Sequence, residues 1–245
     1  MRGSSNIIWS TARSEAALEA ALPVPIEIRS LRNARRLRLR FDEASGSLKL
    51  TCPSRTSRKS ALAWALDQKA WIEAQLARAR PPEPFADGAM IPIEGRDRLI
   101  VWMERRSRTP MLVGDELHCG GPSEGLGRRV ETFLKNQALK IMSREVQEYS
   151  IQAGVSATAV SIGDAGSRWG SCSSQGRIRL SWRLILAPAE VRRYVVAHEV
   201  AHLKHLNHGP DFKALEAKLF GPGLNEAKAL LRREGPRLRR VGRGR

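Results

Sequence analysis

From Ile26 onward hydrophobic and polar positions alternate with the period of a half-buried strand. Leu37, Leu39 and Phe41 fall on one side, and Arg36, Arg38 and Arg40 on the other. Turn residues from Asp42 to Ser47 separate this strand from a second around Leu48 to Cys52, and the pair reads as a hairpin. The period then changes. Leu62, Leu66, Ile72 and Leu76 sit at mostly helical spacing behind Thr56 or Ser57, either of which can cap a helix, and Pro81, Pro82 and Pro84 end it. Arg98 to Met103 predicts another strand and Gly114 to Gly121 a turn region. Residues 26–122 are therefore expected to form a β-rich subdomain, a small antiparallel sheet with one helix. Residues 1–25 show no period and close on Pro23 and Pro25, which predicts a flexible N-terminal segment.

The second half has a different rhythm. Val130, Phe133, Leu134, Ile141, Val146 and Tyr149 form a broad apolar stripe, predicting a helix over 123–152 that Gly154 terminates. A strand over 155–162 and a Gly- and Ser-rich loop over 163–176 follow. Ile178, Leu180 and Trp182 then alternate with Arg177, Arg179, Ser181 and Arg183 as a half-buried strand. Pro188 suits the first turn of a helix running to Leu206, and two shorter helices are expected over 211–220 and 225–234. Residues 236–245 carry Arg237, Arg239, Arg240, Arg243 and Arg245 without an apolar stripe, which predicts a disordered basic C-terminal tail.

With 42% hydrophobic and 27% charged residues in 245, the chain can bury a core and excludes wholesale disorder. Three cysteines, Cys52, Cys119 and Cys172, are odd in number and widely spaced, which excludes a disulfide framework and a paired CxxC knuckle. That usage fits a reducing cytoplasm. No apolar run approaches the roughly 18 residues that cross a bilayer, and Ile7, Ile8 and Trp9 are too few for a signal peptide core, so a soluble, unexported protein is expected. The net charge of +17 makes anionic partners plausible, nucleic acid through its phosphates among them. No reading motif or aromatic interleaving suggests base selectivity, and arginine runs are also common as solvated strand faces.

Four of five histidines, His198, His202, His205 and His208, fall within eleven residues, and the first two frame His198-Glu199-Val200-Ala201-His202. This is HExxH. At about 100° per residue, positions i and i+4 lie about 40° apart on one helix face, where two imidazoles can grip one zinc ion. Glu199, beside the first, can reach a water on that ion as general base. A catalytic zinc takes three protein ligands and keeps one position for water. His205 lies about 10 Å further along a straight helix, too far for one ion. His208 is the better third ligand if Asn207, Gly209 and Pro210 turn the chain back. Glu216 or Glu226 would serve in a thermolysin-like alternative. The spacing HExxHxxxxxH matches metzincins, but His205 takes the place of their glycine and no Met-turn methionine follows. His118 is expected at the surface.

These residues resemble the YgjP-like metallopeptidases, relatives of the SprT and WLM-type zincins, over most of residues 26–235. The similarity is carried by Ser167-Arg168-Trp169-Gly170-Ser171-Cys172-Ser173, by Gly176, Ile178, Leu180, Trp182, Arg183 and Leu184, and by Ala187 and Pro188. The helix around Tyr194, His198, Glu199 and His202, with Asn207, His208 and Phe212, completes it. The family commonly has Asn at Ser181, Ser at Gly209 and Trp at Lys213. The resemblance implies an α+β protein whose catalytic half, 123–235, is zincin-like. It also implies His198, His202 and His208 as ligands of Zn2+ and Glu199 as catalytic base.

The function expected is a zinc-dependent hydrolase, a metallopeptidase that cleaves an amide bond of a polypeptide with a Glu-activated water on zinc. Arg168, Trp169 and Ser171 could line the cleft, Arg168 or the loop amides serving an oxyanion; the bland alternative is a tight turn packed by Trp169. Two rivals stand beside this reading. One is a nucleic-acid-associated metalloprotein, either a protease of DNA-bound proteins like the SprT and WLM relatives or a binder with structural zinc. The other is a closed four-ligand site completed by His205 or Cys172.

Overall fold

The computed structural model describes residues 14–244 except 44, 80 and 167. They divide between Pro81 and Pro82 into two compact units.

In the first unit, α1 (Glu15–Ala20) precedes β1 (Ile26–Leu31), β2 (Arg38–Asp42), β3 (Ser47–Pro53), α2 (Arg58–Asp67) and α3 (Lys69–Arg78). The hairpin of β2 and β3 forms with Phe41 opposite Leu48 and Leu39 opposite Leu50. The sheet is mixed rather than antiparallel, because β1 pairs parallel with β3, Ile26 beside Leu48 and Ile28 beside Leu50. Alternation thus leaves Leu31 and Pro53 on one face and puts Ile26, Ile28, Leu39, Phe41, Leu48 and Leu50 on the other. Leu48, Leu50, Ala61, Leu62 and Ile72 are buried there together. Ser57 caps α2 by accepting the Ser60 N–H at 3.1 Å, as its position predicts. The single expected helix is two, broken at Gln68. Residues 14–25 are not loosely attached: the Ser14 hydroxyl caps α1 at Ala17 N–H, 3.2 Å, and Leu18 and Leu22 join the core. Ile7, Ile8 and Trp9 lie outside the described residues.

The second unit opens with β4 (Met90–Ile93), β5 (Arg96–Trp102), β6 (Met111–Val113) and β7 (Glu116–Cys119), a sheet ordered β4-β5-β7-β6. From the sequence, residues 82–122 are expected with the N-terminal subdomain and 116–119 in a turn. Instead Ile91, Ile100, Leu117 and Cys119 are buried in one cluster with α4 (Leu126–Ala153). On α4 the buried positions Val130, Leu134, Ala138, Met142, Val146 and Tyr149 recur every three or four residues, one face of a helix. Gly154, at φ 65° and ψ 38°, ends it in the left-handed conformation glycine favours.

Next come β8 (Ala159–Gly163), β9 (Gly170–Cys172) and β10 (Arg177–Ser181), ordered β8-β10-β9, then α5 (Ala189–Ala201), α6 (Pro210–Phe220) and α7 (Leu224–Arg240). Strand β9 lies in the expected loop; it has no hydrophobic alternation, and its register comes from β10, with Gly170 opposite Leu180 and Cys172 opposite Ile178. Helix α5 is clamped to α4 by Arg192 and Glu145, both buried, at 3.1 Å. At its start, Gly95 of the β4–β5 turn comes so close to Pro188 that a Cβ there would lie 2.9 Å from its Cα.

The chain end departs most from expectation. Helix α7 continues through Pro236 to Arg240, and Leu238 and Val241 are buried. Arg183, expected on the solvent side of a strand, is also buried: it pairs with Asp164 at 2.7 Å and donates to the carbonyls of Leu238, at 3.0 Å, and Val241. A buried guanidinium with no other way to satisfy its donors draws the last turn of α7 onto the core. Among the described residues no helix is long and apolar enough to cross a membrane.

Candidate metal centre

Helix α5 ends at Ala201, not Leu206. His202 is its C-cap, still helical at φ −67° and ψ −18°, and the next residues tighten, with Leu203 N–H donating to Val200 O at 3.0 Å. The early end has a chemical consequence. The carbonyl of His205 turns back and accepts from His202 Nδ1 at 3.0 Å. A carbonyl can only accept, so His202 carries its proton on Nδ1 and leaves Nε2 bare.

The bend continues with Asn207, whose Oδ1 accepts the Gly209 N–H at 3.4 Å, and Pro210 opens α6. His208 is thereby folded back over α5. The ring centroids of His198 and His202 are 4.9 Å apart, those of His198 and His208 5.1 Å, and those of His202 and His208 4.7 Å. One nitrogen from each falls within 4.8 Å of the others. Phe212, fully buried, is the floor, its ring 4.5 Å from that of His202 and 4.7 Å from that of His208.

Glu216 does not join the histidine cluster. On α6 it occupies a place in the apolar face of Phe212, Glu216 and Leu219, all buried. Its Oε1 accepts from His198 Nδ1 at 2.7 Å and its Oε2 from Lys228 Nζ at 2.7 Å. Burial alone would raise this carboxyl, but the bonds from His198 and Lys228 outweigh it and hold it below the usual carboxylate range. An ionised carboxylate can only accept, so His198 donates from Nδ1, and Nε2 is the ring nitrogen that faces the cluster. No signal local to the sequence pairs Glu216 with His198, which lies 18 residues earlier on another helix. Glu226, the other carboxylate considered, is exposed.

One pair of donors already stands at the spacing of a tetrahedral site. Two nitrogens at about 2.05 Å from a tetrahedral zinc stand about 3.3 Å apart, and His208 Nε2 lies 3.3 Å from His198 Nε2. Both α5 histidines have their other nitrogen tied, the second layer that orients imidazole ligands. Burial also pushes the His202 ring below the ordinary histidine pKa, favouring the neutral form a metal needs.

Glu199 is buried, and burial raises its carboxyl to about 7 against the opposing pull of His198 and Arg168. It faces β9: a Cβ on Gly170 would lie 2.6 Å from Glu199 Cγ and closer still to its carboxylate oxygen. Arg168, Trp169, Gly170 and Ser171 line a depression with Asp164, Arg179 and Ser181 whose walls include neither Glu199 nor the histidines, whereas His198 and His208 open on a separate cavity with Tyr194, Phe212 and Glu216. Arg168 is exposed, and Trp169 packs against α7, its Cζ2 3.2 Å from where a Gly235 Cβ would stand and its ring 4.2 Å under the Arg239 guanidinium. Ser167 lies outside the described residues. The ring of His205 and the thiol of Cys172 stay out of the histidine cluster; burial, then Glu199, pushes that thiol up. His118 is more covered than expected and bonds Glu116 at 2.6 Å.

Residues 35–234 match the family model described as YgjP-like, metallopeptidase domain. No curated protein matches at a significant level. Two solved structures match in part, each at a TM-score of 0.35. The metallopeptidase zymogen jannalysin of Methanocaldococcus jannaschii is 20% identical over 38% of this chain and 95% of its own. The metallopeptidase zymogen abylysin of Pyrococcus abyssi is 23% identical over 41% of this chain and 97% of its own.

Proposed function

This chain belongs to the YgjP-like metallopeptidase family and is a metal-dependent peptidase, and from that membership we propose a zincin-type mechanism with each role assigned to a residue. His198, His202 and His208 hold Zn2+, and Glu199 is the general base. The observation that carries this is the convergence of three imidazoles, two with Nδ1 already tied, beside a buried carboxylate. Among the described residues no fourth His, Cys, Asp or Glu joins the cluster, which favours an open catalytic position over a closed structural site.

When bound, zinc polarises the scissile carbonyl and makes water acidic enough to react near neutral pH. The chain's own residues do the rest. Glu199 accepts the proton of the attacking water on its carboxylate and returns it to the leaving amine. Glu216 and the His205 carbonyl fix the rings of His198 and His202, so little reorganisation is needed at the moment of reaction. The substrate class is a polypeptide, and Arg168 remains the candidate oxyanion partner.

The test combines zinc content by mass spectrometry with cleavage of a quenched fluorescent protein substrate. Glu199→Gln should keep zinc and lose about 10²- to 10⁴-fold in turnover. His202→Ala and His208→Ala should lose zinc, whereas His205→Ala should keep it. Full turnover in Glu199→Gln, or unchanged zinc in His208→Ala, overturns the assignment.

A further inference from the structure

Two arginine-rich stretches, near either end of the chain, supply much of the excess positive charge, and the structure separates their fates. The C-terminal set is used internally. Arg237 pairs with Glu83 at 3.3 Å, Arg243 with Asp164 at 2.6 Å, and Arg240 lies 3.6 Å from Glu83. Arg239 donates to the carbonyls of Ala165, at 3.1 Å, and Gly166, at 2.7 Å.

The N-terminal set is different. Alternation and register send Ile26, Ile28, Leu39, Phe41, Leu48 and Leu50 to the covered face of the first unit's sheet. The opposite face therefore carries Arg29, Arg38, Arg40 and Lys49 beside the carboxylates Glu27 and Asp42, with Arg32, Arg35 and Arg36 in the connection before β2. The six arginines are exposed. Glu27 binds Arg29, at 2.7 Å, and Lys49. No ion pair engages Arg32, Arg35, Arg36, Arg38 or Arg40 among the described residues.

We propose that this arginine face is a binding surface for the phosphate backbone of nucleic acid, without base selectivity. Arg38 and Arg40 stand about 6.7 Å apart along β2, with Arg36 in the bend just before it, planar forks suited to bidentate contact with successive phosphates. The face has no Trp, Tyr or Phe to anchor a protein or to stack a base, and Leu31 alone is too little apolar surface to enter a bilayer. Charge complementarity to a regular polyanion is what remains. The proposal is independent of the metal centre.

Fluorescence anisotropy of the full chain with a labelled 20-base-pair DNA of random sequence, from 50 to 300 mM salt, tests it. Binding should weaken steeply with salt and be indifferent to sequence. Arg36→Ser, Arg38→Ser and Arg40→Ser together should lower affinity at 50 mM salt at least tenfold and make the log–log salt slope shallower by about 3, roughly one per lost phosphate contact. The triple Arg→Lys variant should keep a slope near the parent's, which separates lost charge from lost fold. Removing three exposed charges elsewhere, with Arg105→Ser, Lys140→Ser and Lys218→Ser, should change little. No binding at 50 mM salt, equal loss in that second triple variant, or equally tight binding of polyglutamate would overturn the proposal.

Discussion

Gly170 and Glu199 show how much one side chain decides. The glycine is there because its neighbour is a carboxylate: any Cβ would strike Glu199 at Cγ and at the oxygen beyond. Gly170→Ala should leave zinc content unchanged while lowering peptidase turnover about 10²-fold, the usual effect of moving a catalytic group by about an ångström; parallel metal analysis and kinetics check it. Asp164 tests stability in the same way. Burial alone would raise its carboxyl, but hydrogen bonds and charge from Arg183 outweigh that and hold it below the ordinary range. Asp164→Asn leaves Arg183 buried without its counter-charge and should cost about 3 kcal/mol in urea unfolding. A lowered carboxyl contributes stability above its unfolded value of about 3.9 and loses it as pH falls through the folded value. The gap between parent and variant should therefore close below about pH 4.

At the scale of elements, the site is a helix end, a bend and the first turns of the next helix. HExxH put His198 and His202 on one face of α5, a local fact of helix geometry, and the Asn207 to Pro210 stretch held the turn chemistry that delivers His208. The role of Glu216 was not legible, because it depends on α6 packing its apolar face against the histidines. Glu216→Gln should weaken zinc affinity about 10- to 100-fold, read by competition with a chelating dye, while Glu226→Gln should not. Strand β9 was illegible for a related reason: Gly170, Ser171 and Cys172 carry no alternation, and only the neighbouring β10 makes them a strand.

Over the whole molecule, the apolar side chains form two separate clusters, one drawn from residues 18–76 and one from residues 85–241. All of the proposed metal-site residues belong to the second unit, residues 82–245. We expect a fragment of residues 82–245 to fold and to bind zinc with the parent's stoichiometry, checked by circular dichroism melting and metal content; an unfolded fragment would show that the boundary at 81/82 is not one of stability.

Interactions between neighbours in the chain are enough for the helical face of HExxH, the hairpin of β2 and β3, the Ser57 and Gly154 caps, and a bend able to return His208. Tertiary structure alone decided which unit takes residues 82–122, that Arg237, Arg239, Arg240 and Arg243 are tied down rather than loose, and that Glu216 orients His198. Buried charges explain the difference. Arg183 and Glu216 look like solvent-facing residues in any local pattern, and only partners far along the chain make it possible to bury them.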